Sequence, residues 1–403
     1  MAEYTIATGG YYGNSTSKTN NRDIAIDSDG NLHCVYVKSV DTFNQIFHAK
    51  STDNGENWTE TQLSSGSYYP THPSLAIDSN DNLHVVWEGQ WTNSTTYYQI
   101  YYTKFSSGSW STQAAITSGN YSNGSPAIAI DSSDNIHVVF HGPYSGESYS
   151  QIRYLKYSSG SWSAVANITS DHYMRYDPSI AIDSNDNLHV VWEGKSSYYT
   201  ASYNIYYSKY SAGAWSAATN ITADNNYQHV NPCIAITPND YLHVVWEENN
   251  ATYQSVYQIF YRRFTNSWET AVNLTSDNTY YQYNANISVD TKSNSIYVIW
   301  EGQSAASTTY RQIRFKKYAG SWGSISNLTT GDFNHENPSL IFATQPKISD
   351  LSTNIPDLGY FAIYSSRDTD YPIRAIVSAD LAWNLAPPVS TFSHHYRRRL
   401  LFR

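Results

Sequence analysis

The chain has 403 residues, of which only 14% are charged, and a formal net charge of −10. An acidic, charge-poor chain excludes nucleic-acid binding through phosphates, which needs clustered basic side chains. No run of about 20 apolar residues is present, so no segment reads as a membrane-spanning helix.

The polar character comes from Ser, Thr, Asn and 38 Tyr. The start, Met1-Ala-Glu-Tyr-Thr, lacks the basic and apolar stretches of a secretory leader. The expectation is a leader already removed, or another route out of the cell such as a virus particle. Beyond it the sequence repeats. Pro-Ser-Leu-Ala-Ile-Asp, ending at Asp78, returns in close form ending at Asp131 and Asp183, and weaker copies end at Asp27, Thr237, Asp290 and Ala343. Successive endpoints lie 51, 53, 52, 54, 53 and 53 residues apart. A unit that cannot bury its own faces and recurs at a fixed period must stack on its neighbours. We therefore expect one repeat domain over residues 1–386 and a separate tail over 387–403.

One unit shows the expected elements in order. Residues 73–78 form an apolar run, strand A, followed by the turn signal Asp78-Ser-Asn-Asp-Asn82. Residues 83–88 are strand B; after a polar loop, 99–104 are strand C, rich in β-formers. A Ser-Ser-Gly-Ser turn leads to strand D over 110–116. Four antiparallel strands in each of seven copies predict an all-β, seven-bladed β-propeller with almost no helix. In the last unit strands A, B and C are expected at 338–343, 358–365 and 373–378. Two segments compete for its strand D, Trp383-Asn-Leu and the N-terminal Tyr4–Thr8. The second is preferred, because a ring closed by its own N-terminal strand has no open edge. Cys34 and Cys233 fall at different repeat positions and read as buried thiols.

At Ser51-Thr-Asp-Asn-Gly-Glu-Asn-Trp58 the chain carries Ser-x-Asp-x-Gly-x-x-Trp. This resembles the Asp-box of sialidase-like propellers, which occupies the turn between the third and fourth strands of a blade. The other copies, ending at Trp110, Trp162, Trp215, Trp268 and Trp322, keep the Trp and lose the Asp. The resemblance implies the fold. A sialidase would add three arginines for a substrate carboxylate, a Tyr–Glu pair and an Asp acid/base. The usual Arg-x-Pro start is missing, and Arg153, Arg262, Arg263, Arg311, Arg314 and Arg374 recur in or beside strand C. No catalytic residue transfers, and the expectation is a non-enzymatic member.

Recurrent residues read as scaffold. Eleven of the 12 Trp occupy the strand-B or strand-D position. His33, His84, His137, His189 and His243 share one strand-B position and are too far apart around a ring to meet at one ion, so they read as structural hydrogen bonders. The Asp78 and Asp183 turns lack the Gly and distal Glu of a calcium loop and read as hairpin turns. No metal or cofactor is expected. Glu88, Glu193, Glu247 and Glu301 end strand B; they read first as acceptors for loop N–H groups and second as ligand-binding groups.

Departures from the repeat lie in the B–C and D–A loops, which emerge on one face. These are rich in Tyr, Asn, Ser and Thr, a mixture suited to glycan or protein surfaces. The candidate ligand-binding residues are Trp91, Tyr97, Tyr98, Tyr173, Arg175, Tyr198, Tyr199, His229, Tyr280 and Tyr281, with the four strand-B glutamates. Trp91 lies off the repeat grid, as a stacking platform or a cover for the blade rim. The tail joins Arg397, Arg398 and Arg399 to Leu400, Leu401 and Phe402 and reads as a docking peptide for a larger assembly. The functional expectation is a recognition or adhesion propeller on a cell or virion surface. The alternative is a glycoside hydrolase or lyase.

Overall fold

In a computed structural model, the described residues are 2–8, 23–41, 43–66, 69–90, 96–143, 149–197, 202–222, 227–249, 256–276, 279–342, 360–366 and 372–377. They form seven antiparallel sheets and no helix. Strands A to C of blades 1 to 4 are Ile24–Ile26, Leu32–Val40 and Phe43–Ser51; Thr71–Ile77, Leu83–Gln90 and Tyr98–Ser106; Gly124–Ile130, Ile136–Gly142 and Gln151–Ser158; and Arg175–Ile182, Leu188–Lys195 and Tyr203–Ser211. Those of blades 5 to 7 are His229–Ile236, Leu242–Asn249 and Tyr257–Phe264; Gln282–Asp290, Ser295–Ser304 and Ser307–Tyr318; and His335–Phe342, Tyr360–Ser366 and Ile373–Val377. Consecutive A strands pack side by side around the axis, and an apolar channel lined by Leu75, Ile130, Ile180, Ile234 and Ile287 runs between them.

The ring closes as the sequence predicts. The N-terminal strand Ala2–Ala7 pairs with Ile373–Val377 and completes blade 7. Strand D departs from expectation. In blade 2 it is two short pieces, Ser109–Trp110 and Ala114–Ala115, in place of one strand over 110–116. Between them Ser111 bonds Lys104 through both its N–H and its hydroxyl, which bends the edge out of register. Such interrupted outer edges discourage sheet-to-sheet pairing.

The core explains why the repeat takes its form. Trp87, Trp192, Trp246 and Trp300 of strand B are at most 1% exposed, each sandwiched between blades. The strand-D tryptophans are half-buried and lie edge-on against a strand-C ring of the preceding blade, as in Trp162 on Tyr102 at 5.2 Å and Trp322 on Tyr261 at 4.8 Å. That ring meets the recurrent histidine: the Tyr102, Tyr154 and Tyr207 hydroxyls lie 2.9, 2.7 and 2.8 Å from Nδ1 of His84, His137 and His189. Each Nε2 reaches the turn aspartate, Asp78, Asp131 or Asp183, at 3.1, 2.9 and 3.0 Å. A carboxylate only accepts, so Nε2 carries the proton and Nδ1 accepts from the tyrosine. Burial first, and then the nearby lysines, hold these histidines below their ordinary pKa against the pull of the aspartates.

The turns are also stitched blade to blade. Ser79, Ser132 and Ser184 donate through N–H and hydroxyl to Asp134, Asp186 and Asp240 of the next turn, at 2.6–2.9 Å. The Asp78 and Asp183 carboxylates are taken up by turn N–H groups and by the Asn82 and Asn187 side chains. At 51–58 the Asp-box is formed: Asp53 accepts the Asn57 N–H at 2.9 Å, Gly55 has φ 87°, and Trp58 donates to the Gly55 carbonyl at 2.8 Å. Cys34 and Cys233 are buried and free.

Candidate functional site

The loop face has its own repeat. Every strand A from blade 2 to blade 7 begins with a bulge, where the register to strand B slips. One bulge residue in each takes a left-handed backbone: His72, Ser125, Asp177, Asn231, Asn284 and Asn337, with φ between 46° and 54°. Five of the six precede a proline, which disfavours the right-handed helical region for them. The bulge turns an N–H toward the neighbouring blade, and the strand-B glutamate there accepts it. Ser125 donates to Glu88 at 2.7 Å, Asn231 to Glu193 at 2.9 Å, Asn284 to Glu247 at 2.8 Å and Asn337 to Glu301 at 3.3 Å. These carboxylates therefore stand around the mouth of the axial channel.

Between blades 3 and 4 the pattern breaks. Blade 3 carries His141 where its neighbours carry glutamate, and the blade 4 bulge residue is Asp177. His141 Nδ1 finds no hydrogen-bond partner among the described residues and lies 3.9 Å from Asp177 Oδ1. Asp177 Oδ1 accepts the Ser125 hydroxyl at 2.6 Å. Glu193 stands in the strand paired with Asp177's own strand, opposite Tyr176. Burial, and then the Asp177 and Glu247 carboxylates, push Glu193 well above the usual carboxyl range. Burial also lowers His141 despite the attraction of Asp177 and Glu88. The break thus gathers an imidazole and two carboxyl groups, with burial disfavouring the charged forms of His141 and Glu193. Elsewhere the ring is self-satisfied. Burial alone would raise Glu88, but His72, the Ser125 N–H and His141 hold it down to about 2. Asn231 and Asn284 donate side-chain N–H groups to Glu247 and Glu301, at 2.8 and 2.9 Å, and Arg311 bridges Glu301 and Glu336.

Aromatic rings flank the cluster. Tyr176 meets His141 edge-on at 5.0 Å and leans on Tyr203 at 6.3 Å. Across blades 5 and 6, Tyr283 packs against Tyr257 at 5.9 Å and stacks on Tyr281 at 5.7 Å. Burial, and then the nearby Tyr176, Glu193 and Asp177, raise Tyr203 to about 12, and burial, then Glu247 and Glu193, raise Tyr257. Glutamines in strand C pin the loop bases. Gln151 donates to the Asp171 and Tyr173 carbonyls, and Gln258 to that of Tyr280.

The sequence-selected residues divide between mouth and brace. Glu88, Glu193, Glu247, Glu301 and Tyr281 lie at the mouth. Arg175 is buried, with its guanidinium held by Asp171 and the Lys195 carbonyl and stacked over Tyr206 at 4.2 Å. His229 is buried between the Tyr203 carbonyl and Glu248. Tyr97, Tyr173 and Tyr280 are partly exposed on the loops, and Tyr98 is partly exposed at the start of strand C of blade 2. Trp91, Tyr198, Tyr199 and the tail residues Arg397 to Phe402 lie outside the described residues. Sequence reasoning passed over His141, Tyr176, Asp177, Tyr203, Tyr257 and Tyr283. The polar residue before the strand-A proline was the available signal for Asp177, and the His at a Glu position was the signal for His141.

No family model matches the chain, and no curated protein matches it. Solved structures do. An ulvan lyase bound to GlcA(1-4)Rha3S is similar with a TM-score of 0.67 at 10% identity, covering 93% of this chain and 95% of that one. The polysaccharide lyase Uly1 gives 0.60 at 9% identity over 94% and 98%. The Penicillium chrysogenum α-L-arabinanase complexed with arabinobiose gives 0.51 at 13% identity over 74% and 93%. At these identities the likeness is one of fold, a β-propeller. It corrects the expectation of a non-enzymatic chain, since these solved chains of the same fold are enzymes that act on glycans. Asp177 and Glu193 stand in the paired A and B strands of blade 4.

Proposed function

We propose that the chain is a carbohydrate-active enzyme that cleaves glycosidic bonds at the mouth of its ring. The observation that carries this reading is the placement of Asp177 and Glu193 in the paired A and B strands of blade 4, next to the junction where His141 stands at the glutamate position. Glycoside hydrolysis needs a carboxyl that stays protonated to give its proton to the leaving oxygen, and a second carboxylate to stabilise positive charge or activate water. Glu193, buried and flanked by two carboxylates, suits the first role. Asp177, with its side chain 26% exposed and its Oδ1 oriented by Ser125, suits the second. Tyr176 and Tyr203 offer faces for a sugar ring beside the pair, and Tyr257, Tyr281 and Tyr283 offer more on the far side.

A second reading, β-elimination, is favoured by the His141–Tyr176 contact, because a neutral imidazole and a phenol can exchange a proton with a sugar carbon and a leaving oxygen. The lyase likeness supports this reading as well. Digestion of a polysaccharide panel separates the two: hydrolysis releases saturated reducing ends, whereas elimination leaves an ultraviolet-absorbing unsaturated sugar. A glycan substrate also supports an extracellular or virion-surface setting. Among the described residues no helix is long and apolar enough to cross a membrane.

A further inference from the structure

We infer that the junction of blades 5 and 6, on the turn face opposite the mouth, binds a small organic carboxylate in the place of an aspartate that the repeat supplies elsewhere. This site is separate from the mouth and independent of the activity there. In blades 1 to 4 the strand-B histidine stands directly across from a strand-C lysine, in the pairs His33–Lys50, His84–Lys104, His137–Lys156 and His189–Lys209. One carboxylate oxygen of the turn aspartate serves both. Oδ2 of Asp27, Asp78, Asp131 and Asp183 lies 2.9–3.1 Å from the histidine Nε2 and 3.5–3.9 Å from the lysine Nζ. Blade 5 keeps both donors, as His243 paired with Arg263, and has Thr237 at the position of the acceptor. Tyr241 replaces the asparagine that holds the aspartate in blades 1 to 4. His243 is buried, and its Nε2 finds no hydrogen-bond partner among the described residues.

The same junction lacks its stitch. Ser28, Ser79, Ser132 and Ser184 tie each turn to the next, and the corresponding residue of blade 5 is Pro238, which has neither N–H nor hydroxyl to donate. A pocket of about 390 Å³ lies there, lined by Thr237, Tyr241, His243 and Arg263 of blade 5 and by Asn294 and Tyr318 of blade 6. The Tyr261 hydroxyl lies 2.7 Å from His243 Nδ1; with the tyrosine donating, as in blades 2 to 4, Nε2 carries the proton. Burial and then Arg263 lower His243 to about 3, so the imidazole is an uncharged donor and the positive charge comes from Arg263. Arg263 is anchored on Glu269 through Nε and Nη2, while Nη1 lies 3.4 Å from the Tyr318 hydroxyl. The Glu269 side chain is 41% exposed, so solvent screens its repulsion of a bound anion. A buried N–H without an acceptor is costly, and a carboxylate oxygen placed as in blades 1 to 4 satisfies it beside a guanidinium. The Tyr241 and Tyr318 side chains offer ring faces to a short organic body, which favours an organic acid over an inorganic anion.

The test uses the full chain with isotope-labelled histidine. Sodium acetate is titrated in parallel with sodium chloride, sodium sulfate and acetamide, and binding is read from the ring-nitrogen resonance of His243, assigned by its loss in His243→Gln, and from the thermal midpoint. Acetate should move that resonance saturably and raise the midpoint, and chloride, sulfate and acetamide should do neither. Thr237→Asp supplies the carboxylate from within the chain, so it should weaken acetate binding by about 10-fold or more and raise the midpoint on its own. Arg263→Gln removes the charge and should weaken acetate binding by a similar factor, which decides the matter if Thr237→Asp does not fold. A response to acetate that does not saturate, an equal or larger response to chloride, sulfate or acetamide, or undiminished acetate binding by either folded variant would overturn the inference.

Discussion

At the scale of single residues, the account rests on one position in each of two neighbouring blades. Strand B ends in Glu in blades 2, 4, 5 and 6 and in His141 in blade 3, and the blade 4 bulge carries Asp177. Glu193→Gln and Asp177→Asn should each lower turnover by about 100-fold or more, the usual contribution of a positioned acid or base. Their thermal midpoints should stay close to that of the parent chain, because both changes preserve shape and acceptor atoms. The pH dependence carries a sign. Folded Glu193 holds its proton more tightly than the unfolded chain does. Its contribution to stability is therefore full below the ordinary carboxyl range and is lost as pH rises through its raised folded value. Activity that needs the proton falls over that same rise. Urea titrations from acid to alkaline pH should show a shallower alkaline decline in Glu193→Gln. Glu88 runs the other way: held down from an ordinary 4.5 to about 2, it contributes above that range and its share is lost as pH falls between those values.

At the scale of elements, the two aromatic positions of each blade carry different weights. Trp192 is fully buried between sheets, and its replacement by Ala should cost about 3–5 kcal/mol. Trp215 is half-exposed on Tyr154, at 5.5 Å, and the same change should cost roughly 1–2 kcal/mol, its gain being the aromatic pair plus partial burial. Chemical denaturation of the two variants measures the contrast. These elements are also where the sequence was most readable. Strand ends, blade count, the His33-to-His243 column and the ring closure at Tyr4 all follow from period and pattern, because every blade repeats the same partners. The mouth was less readable. A bulge leaves no period behind it, and it is the bulge that turns Asp177 toward His141 and Glu193. Arg175 misled for the opposite reason: a charged residue in a variable loop looks like a ligand, yet Asp171 and Tyr206 hold it inside. Strand D broke its expected run because Ser111 engages the Lys104 backbone and interrupts the edge.

At the scale of the molecule, closure depends on residues far apart in sequence. Ile6 and Ala7 are buried against Ile363, Ile373 and Ala375, so removal of residues 1–8 should leave blade 7 with an open edge and a lower, less cooperative melting transition. A truncation after Ser390 should behave differently. If the tail is a docking peptide, its loss leaves the midpoint unchanged and abolishes binding to the partner assembly, whereas unfolding of the truncated chain would count against docking. The central claim, that the mouth of the ring cleaves glycans, is tested by reducing-end release from a polysaccharide panel, with the parent chain, Asp177→Asn and Glu193→Gln run side by side. The account predicts release by the parent chain and loss of about 100-fold or more in both variants, with melting curves unchanged. Equal release by all three proteins, or release by none, would contradict it.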